Sequence, residues 1–307
     1  MSTAITNQVK QVNFPNNLRG KLEQQVSLAR LTSWKVGGLA EILFQPEDLE
    51  DLQVFIKYLD KTIPLTWLGR GTNVLVRDGG VRGAVIVMQG CVNKLEIIEE
   101  NLIRAELGVS CAKLARFSAE NDLLGAEFLA GIPGTVGGAL AMNSGAYGSE
   151  TWNYVLEVET IDRNGELHVR SPNELDIGYR SVKGLDNEWF IAATFKLVAG
   201  DGQQARKNIR EMLDQRNASQ PVGNKSCGSV FRNPKNDFAA RLIESCELKG
   251  MSMGGAQVST KHANFILNAG DATAADIEAL IIKVRETVER ECGVSLLPEV
   301  RIIGEAA

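Results

Sequence analysis

Histidine is nearly absent from this chain of 307 residues: only His168 and His262 occur. A histidine-based metal centre or a Ser–His–Asp triad therefore lacks its usual parts. Cysteine is scarce too. Cys91, Cys111, Cys227, Cys246 and Cys292 are odd in number, widely scattered and form no C-x-x-C pair. That spacing excludes a disulfide framework and a zinc site, and it suits a reducing cytoplasm. No apolar run approaches the ~20 residues that a membrane-spanning helix needs. The opening MSTAITNQVKQVNFPNN has none of the apolar core of a secretory signal. A basic excess is also missing: the net charge of −5 argues against a nucleic-acid partner. Neither G-x-G-x-x-G leading into a long helix nor the G-K-[ST] that closes a P-loop is present. Internal repeats and low-complexity segments are absent as well.

What the chain does have is one dense run of glycine, LAGIPGTVGGALAMNSGAYG from Leu129 to Gly148, in which six of twenty residues are Gly and none is charged. Such a run is not expected to form an ordinary helix, because each interior Gly costs about 1 kcal/mol relative to Ala. It is too apolar for a solvated linker. Its backbone can turn tightly and let a flat or phosphorylated ligand approach its N–H groups. A cofactor cradle is one reading, and a glycine-rich core turn without a ligand is the other.

Length and patterning divide the chain into units. Residues 1–30 read as an N-terminal tail and a short helix opened by Pro15, with Leu18, Leu22 and Val26 at helical spacing. Residues 31–92 read as a compact α/β unit: a strand at Ala40 to Phe44, a helix at Asp48 to Lys61, and the strand LTWLG. The loop GRGTNVL and two short strands complete it. Residues 93–200 form a strand-rich unit holding a hairpin, a helix at Ser110 to Glu120 and the glycine run. Two strands joined by Asp162–Gly165 follow, then a strand from Trp189 to Val198. Composition turns polar at Ala199–Gly202, which places the start of a third unit at residue 201. That unit holds a helix from Phe238 to Cys246 and a long one from Ala274 to Cys292. The latter is opened by the capping-box spacing of Thr273 and Asp276, striped by Ile277, Leu280, Ile281, Val284 and Val288, and ended by Gly293.

Chemistry concentrates in a few places. GRGTNVL follows a strand, so its N–H groups and the Thr72 hydroxyl can hold a phosphate, or merely close a turn. An extended dinucleotide lying between two units needs two such cradles. In CGSVFRNP, Ser229 has no base at hand; it is a proton donor or a satisfied turn residue. Cys227 competes with it, with only Lys225 nearby to lower its pKa. Arg180 in GYRS suits a carboxylate ligand or a surface ion pair. Glu299, after Pro298, opens a strand and faces either a cleft or solvent. His262 reads as structural.

Taken together, GRGTNVLV, AGIPGTVGGALAMNSGAYG, GYRS, GSVFRNP, HANFILN and LLPEVRIIG resemble the UDP-N-acetylenolpyruvoylglucosamine reductase family, in the family's order from Thr32 to Gly304. These are flavoenzymes of the second step of bacterial peptidoglycan precursor synthesis. The resemblance implies an α+β chain: a two-subdomain FAD-binding fold of the vanillyl-alcohol-oxidase/p-cresol-methylhydroxylase type plus a C-terminal substrate domain. It implies non-covalent FAD, since neither glycine loop carries a His, and NADPH as co-substrate. The enolpyruvyl ether of UDP-N-acetylglucosamine would be reduced to UDP-N-acetylmuramate by a cytoplasmic protein, a monomer or weak oligomer.

Carried over residue by residue, the catalytic roles fall on Arg180, Ser229 and Glu299. Arg180 and Glu299 would polarise the substrate carboxylate, with Glu299 protonated, and Ser229 would supply the proton that completes the D-lactyl ether. The cofactor would lie against Gly69, Arg70, Gly71, Thr72 and Asn73 of one loop. In the other, it would meet Gly131, Ile132, Pro133, Gly134, Thr135, Gly137, Gly138, Asn143, Gly145, Ala146 and Tyr147. Substrate contacts are expected from Tyr179, Arg216, Lys225 and Asn233. The chain resembles the compact form of the family, without the inserted segment whose Tyr clamps substrate. Two other readings remain open here: an oxygen-dependent sugar or alcohol oxidase on the same fold, and a non-enzymatic flavin- or nucleotide-binding regulator.

Overall fold

The computed structural model describes residues 15–307. The first unit is a four-stranded sheet of β1 (Lys21–Ser27), β2 (Leu39–Gln45), β5 (Val81–Val87) and β3 (Leu65–Leu68), in that spatial order. β1 runs antiparallel to β2, while β2, β5 and β3 are parallel. α1 (Leu49–Tyr58) makes the crossover, and its Asp48 side chain caps the Asp51 N–H at 2.9 Å. Leu52, Phe55 and Ile56 of α1 are fully buried against Ile42, Phe44, Ala84 and Ile86, and the Phe44 and Phe55 rings stack. The short β4 (Val74–Val76) follows the first glycine loop.

One expectation fails here. The helix expected after Pro15 is strand β1, and the remainder of the 1–30 segment up to residue 14 lies outside the described residues. Leu22 and Val26 are four apart, a spacing that puts them on one face of a strand as well as of a helix. The hydrogen-bonding edge of β2 settles the matter by pairing Leu22 with Phe44 and Val26 with Ala40.

The second unit is a five-stranded antiparallel sheet. Its order is 167–170, 155–162, 188–196, then β7 (Leu102–Glu106) and β6 (Leu95–Glu99). α2 (Cys111–Glu120), α3 (Val136–Ala141) and α4 (Gly202–Ser219) cover it. α3 corrects a second expectation, because this helix runs through Gly137 and Gly138 within the glycine run. A Cβ on Gly137 would lie 2.9 Å from that of Leu107, so close packing requires the glycine and outweighs its poor propensity. α4 corrects a third. Ala205, Ile209 and Leu213 pack into the core of the second unit rather than opening the third, so we place that boundary near residue 220 instead of 201.

The last unit packs α5 (Ala239–Ser245) and α6 (Ala274–Cys292) on the small sheet 252–253, 256–258 and 266–268. Thr273 and Asp276 form the expected capping box, and Gly293 takes the left-handed conformation at φ 67°. The chain then returns. Strand Arg301–Ile303 pairs in parallel with β4, so the segment just before it is drawn up against the first glycine loop. No helix among the described residues is long and apolar enough to cross a membrane.

Leu280 of α6 is fully buried. Leu280→Ala should lower the stability of the C-terminal unit by about 2–5 kcal/mol, read as a lower denaturant midpoint with unchanged spectra of the remaining units.

Candidate active site

Between the three units lies a cleft of about 540 Å³, within the usual ~300–1,000 Å³ of small-molecule sites. One wall is the loop Gly69–Asn73. Gly71 sits at φ 60°, and a Cβ there would lie 2.0 Å from the Leu31 carbonyl oxygen, so only glycine fits. The Ser33 N–H and the Cys227 thiol both donate to the Gly71 carbonyl, at 2.9 and 3.6 Å. Cys227 is buried, and burial pushes its pKa up to about 12. Its thiol therefore fastens the loop and is no nucleophile. The opposite wall is the glycine run. Gly134 approaches Thr72 closely enough that a Cβ would sit 3.8 Å from the threonine hydroxyl oxygen. Apart from the chain neighbours of each and the backbone of Gly138's own helix, nothing among the described residues lies within 4 Å of where a Cβ on Gly138 or Gly228 would stand, so that space belongs to the cleft.

The third wall carries the reactive groups. Val230 accepts a hydrogen bond from the Glu299 N–H at 2.7 Å, and Phe231 bridges to Pro298. This pairing puts Ser229 and Glu299 in the same cleft although 70 residues of sequence separate them. Gly228, at φ 75°, makes the turn that presents Ser229. Among the described residues no group takes a hydrogen bond from the Ser229 hydroxyl. The Asn264 carboxamide holds this wall, accepting from the Phe231 N–H at 3.0 Å and donating to its carbonyl at 2.8 Å. Asn73 ties the first loop to it, donating to the Glu299 carbonyl at 3.2 Å.

Arg180 occupies a two-residue turn between Gly178 and Ser181, with φ 55°. Its Nε donates to Glu299 Oε1 at 2.9 Å, while Nη1 and Nη2 donate to the carbonyls of Asn143 and Gly145 at 3.3 and 3.1 Å. Both side chains are 16% exposed. Burial raises the Glu299 pKa above the usual carboxylate range, and the charges of Arg180 and Arg232 only partly reverse this. Among the described residues Glu299 is the one acidic side chain lining the cleft, against Arg70, Arg180, Arg216 and Arg301. An excess of cations over carboxylates around an open glycine backbone favours ligands bearing phosphates and carboxylates.

This geometry has known counterparts. Residues 220–303 match the family model described as the UDP-N-acetylenolpyruvoylglucosamine reductase C-terminal domain, and residues 40–171 match that of an FAD binding domain. UDP-N-acetylenolpyruvoylglucosamine reductase of Methylococcus capsulatus is 56% identical over 291 residues, spanning 94% of this chain and 95% of that protein. The Nitrosococcus oceani protein of the same name is 53% identical over 95% of this chain and 98% of its own length. The crystal structure of the Thermus caldophilus enzyme superposes with a TM-score of 0.79 at 31% identity, covering 93% of this chain and all of that one. The chain belongs to the UDP-N-acetylenolpyruvoylglucosamine reductase family.

Most residues that the family resemblance singled out do line the cleft: Arg180, Ser229 and Glu299, the loop Gly69–Asn73, Gly131 to Thr135, Gly138, Gly145 and Ala146, with Tyr179, Arg216 and Asn233. Three expected cofactor contacts are not among the residues that line it. Gly137 packs on Leu107. Asn143 is 2% exposed and uses its carboxamide on Trp152, Glu150 and Gly178, bracing the turn that carries Arg180. The Tyr147 ring supports Gly131, and its hydroxyl donates to the Met212 carbonyl. Lys225 lies outside the main cleft, in an adjoining cavity of about 350 Å³ that Arg216 and Lys35 also line. Asn233 spends its carbonyl oxygen on the Ala239 N–H at 3.1 Å, capping α5. His262 is structural: its Nδ1 accepts from the Asn264 N–H at 3.3 Å, and burial lowers its pKa.

The open space at Gly138 separates fold from ligand. Gly138→Ala should keep or slightly raise the stability of the cofactor-free protein, since Ala favours a helix over Gly by about 1 kcal/mol. It should also weaken FAD binding, measured by flavin fluorescence titration.

Proposed function

We propose that Arg180, Glu299 and Ser229 are the catalytic groups of this FAD- and NADPH-dependent reductase, which converts the enolpyruvyl ether of UDP-N-acetylglucosamine to UDP-N-acetylmuramate. The observation that carries the assignment is the Arg180–Glu299 pair at 2.9 Å, in a cleft shared with the unpartnered Ser229 hydroxyl. The residues present fit the cofactor. Gly69–Asn73 and Gly131–Gly138 offer bare backbone on two facing walls, and Arg70 supplies a cation without a carboxylate partner among the described residues. When bound there, FAD supplies the hydride that NADPH has delivered to it.

The protein's own groups then manage charge and protons. Arg180 orients the substrate carboxylate through its guanidinium. Addition of hydride to the terminal vinyl carbon places negative charge on the adjacent carbon and its carboxylate. Glu299, whose pKa burial raises, donates in its protonated form a hydrogen bond to that developing anion rather than repelling it. Ser229 gives its proton to the carbon and completes the lactyl ether. Arg216 and Lys225, with Lys35, line a cavity next to the cleft that holds no carboxylate among the described residues, and we assign it to the substrate diphosphate. Burial lowers the Arg216 pKa, a cost that a neighbouring phosphate offsets. The free state of all five cysteines suits a cytoplasmic protein.

Ser229→Ala should leave reduction of the flavin by NADPH intact and slow its reoxidation by the enolpyruvyl substrate by ~10²–10³. Rapid-mixing absorbance of the two half-reactions checks this, and equal slowing of both would contradict the proton-donor role. The sign of the pH dependence follows from Glu299. Its raised pKa keeps the active, protonated form available at acidic pH, and the second half-reaction should be lost as pH rises through that pKa. Glu299→Gln should abolish this alkaline limb.

A further inference from the structure

Arg232 lies outside the cleft lining, yet it reaches the groups at its centre. It follows Phe231 on the wall paired with Pro298, where its N–H donates to the Leu297 carbonyl at 2.9 Å. From there its Nη2 donates to the backbone carbonyl of Arg180 at 3.2 Å. Its Nε is buried with no partner among the described residues, which a side chain serving packing alone would avoid.

The carbonyl that it grips belongs to a strained residue. Arg180 is the second residue of the Tyr179–Arg180 turn, and its φ of 55° is a conformation that a long side chain rarely adopts. The strain is tied to direction, because this backbone sends the guanidinium to Glu299, Asn143 and Gly145 while turning the carbonyl toward Arg232. Relaxation of the turn would swing the guanidinium off Glu299. We propose that Arg232 is a positioning residue for the reduction, locking the Arg180 turn so that its guanidinium stays on Glu299 and the substrate carboxylate.

Charge strengthens the geometric argument. The groups that act on the Glu299 carboxyl are Arg180 and Arg232, so two cations serve one carboxyl. With Glu299 ionised the cluster keeps one net positive charge, and with Glu299 protonated it keeps two. An incoming carboxylate therefore finds uncompensated positive charge in either state. Arg232 supplies the share that does not depend on Arg180 itself.

The inference rests on the roles given above to Arg180 and Glu299, and the test separates the two. Arg232→Gln, Arg232→Lys and Glu299→Gln are compared as FAD-loaded proteins. Flavin reoxidation by the enolpyruvyl substrate is followed across pH, and substrate affinity is read from the perturbed flavin absorbance. Arg232→Gln should slow reoxidation on the order of 10²-fold through misplacement of Arg180 and weaken substrate binding. Its alkaline limb should move to higher pH, because Glu299 loses one of the charges that hold its pKa down. Arg232→Lys retains the charge and should keep the limb at its original pH; it also serves where the Gln protein does not fold. A wild-type rate and limb in Arg232→Gln would overturn the inference, as would a slowed rate with an unmoved limb. A limb that survives in Glu299→Gln would instead overturn the Glu299 assignment on which it rests.

Discussion

A half-buried guanidinium–carboxyl contact between two units organises this molecule. Arg180 comes from a short turn in the second unit, and Glu299 from the segment leading into the last strand. Holding them at 2.9 Å requires each segment to be fixed independently. Asn143 braces the turn from below through Gly178, while the Val230 carbonyl and Asn73 fix the backbone of Glu299. Desolvation makes this arrangement chemically useful. The carboxyl is too deeply placed to ionise as readily as one in water, yet the cations beside it keep it titratable.

The return of the chain makes that contact possible. Strand Arg301–Ile303 joins β4 in parallel, next to the first glycine loop, although more than 200 residues of sequence separate them. This pairing ties the C-terminal unit to the first one and aims Glu299, two residues before the strand, into the cleft. Cys227 and Trp34 reinforce the same seam, the thiol donating to the carbonyls of Gly71 in the loop and Val74 of β4 and the indole to that of Ile266. The cleft is thus built from all three units, with glycine backbone on two walls and side-chain chemistry on the third.

Much of this was legible in the sequence. The long helix from Ala274 to Cys292 follows from its stripe, its capping box and its terminal Gly293, because local signals agree there. The motifs GRGTN, GYRS, GSVFRNP and LLPEV mark cleft-lining segments, since catalytic chemistry needs particular residue types. What stayed hidden depends on distant partners. Strand β1 has a helical spacing, and only the edge of β2 shows otherwise. Helix α3 contradicts glycine propensity because Leu107 packs against Gly137. The supporting roles of Asn143, Asn264 and Arg232 have no local signature at all. Their side chains bond backbone atoms 33 to 52 residues away or brace a neighbouring turn, and no pattern in the chain announces such contacts.

The protonation state of Glu299 is the point on which the whole chemical account turns. Infrared difference spectra of the FAD-loaded, oxidised protein, recorded as the enolpyruvyl substrate binds at neutral pH, observe it without turnover. The substrate carboxylate draws on the charge of Arg180, so a protonated carboxyl band should appear in the wild type and be missing in the Glu299→Gln protein. An ionised Glu299 in the complex, with no such band in the wild type, would contradict the account.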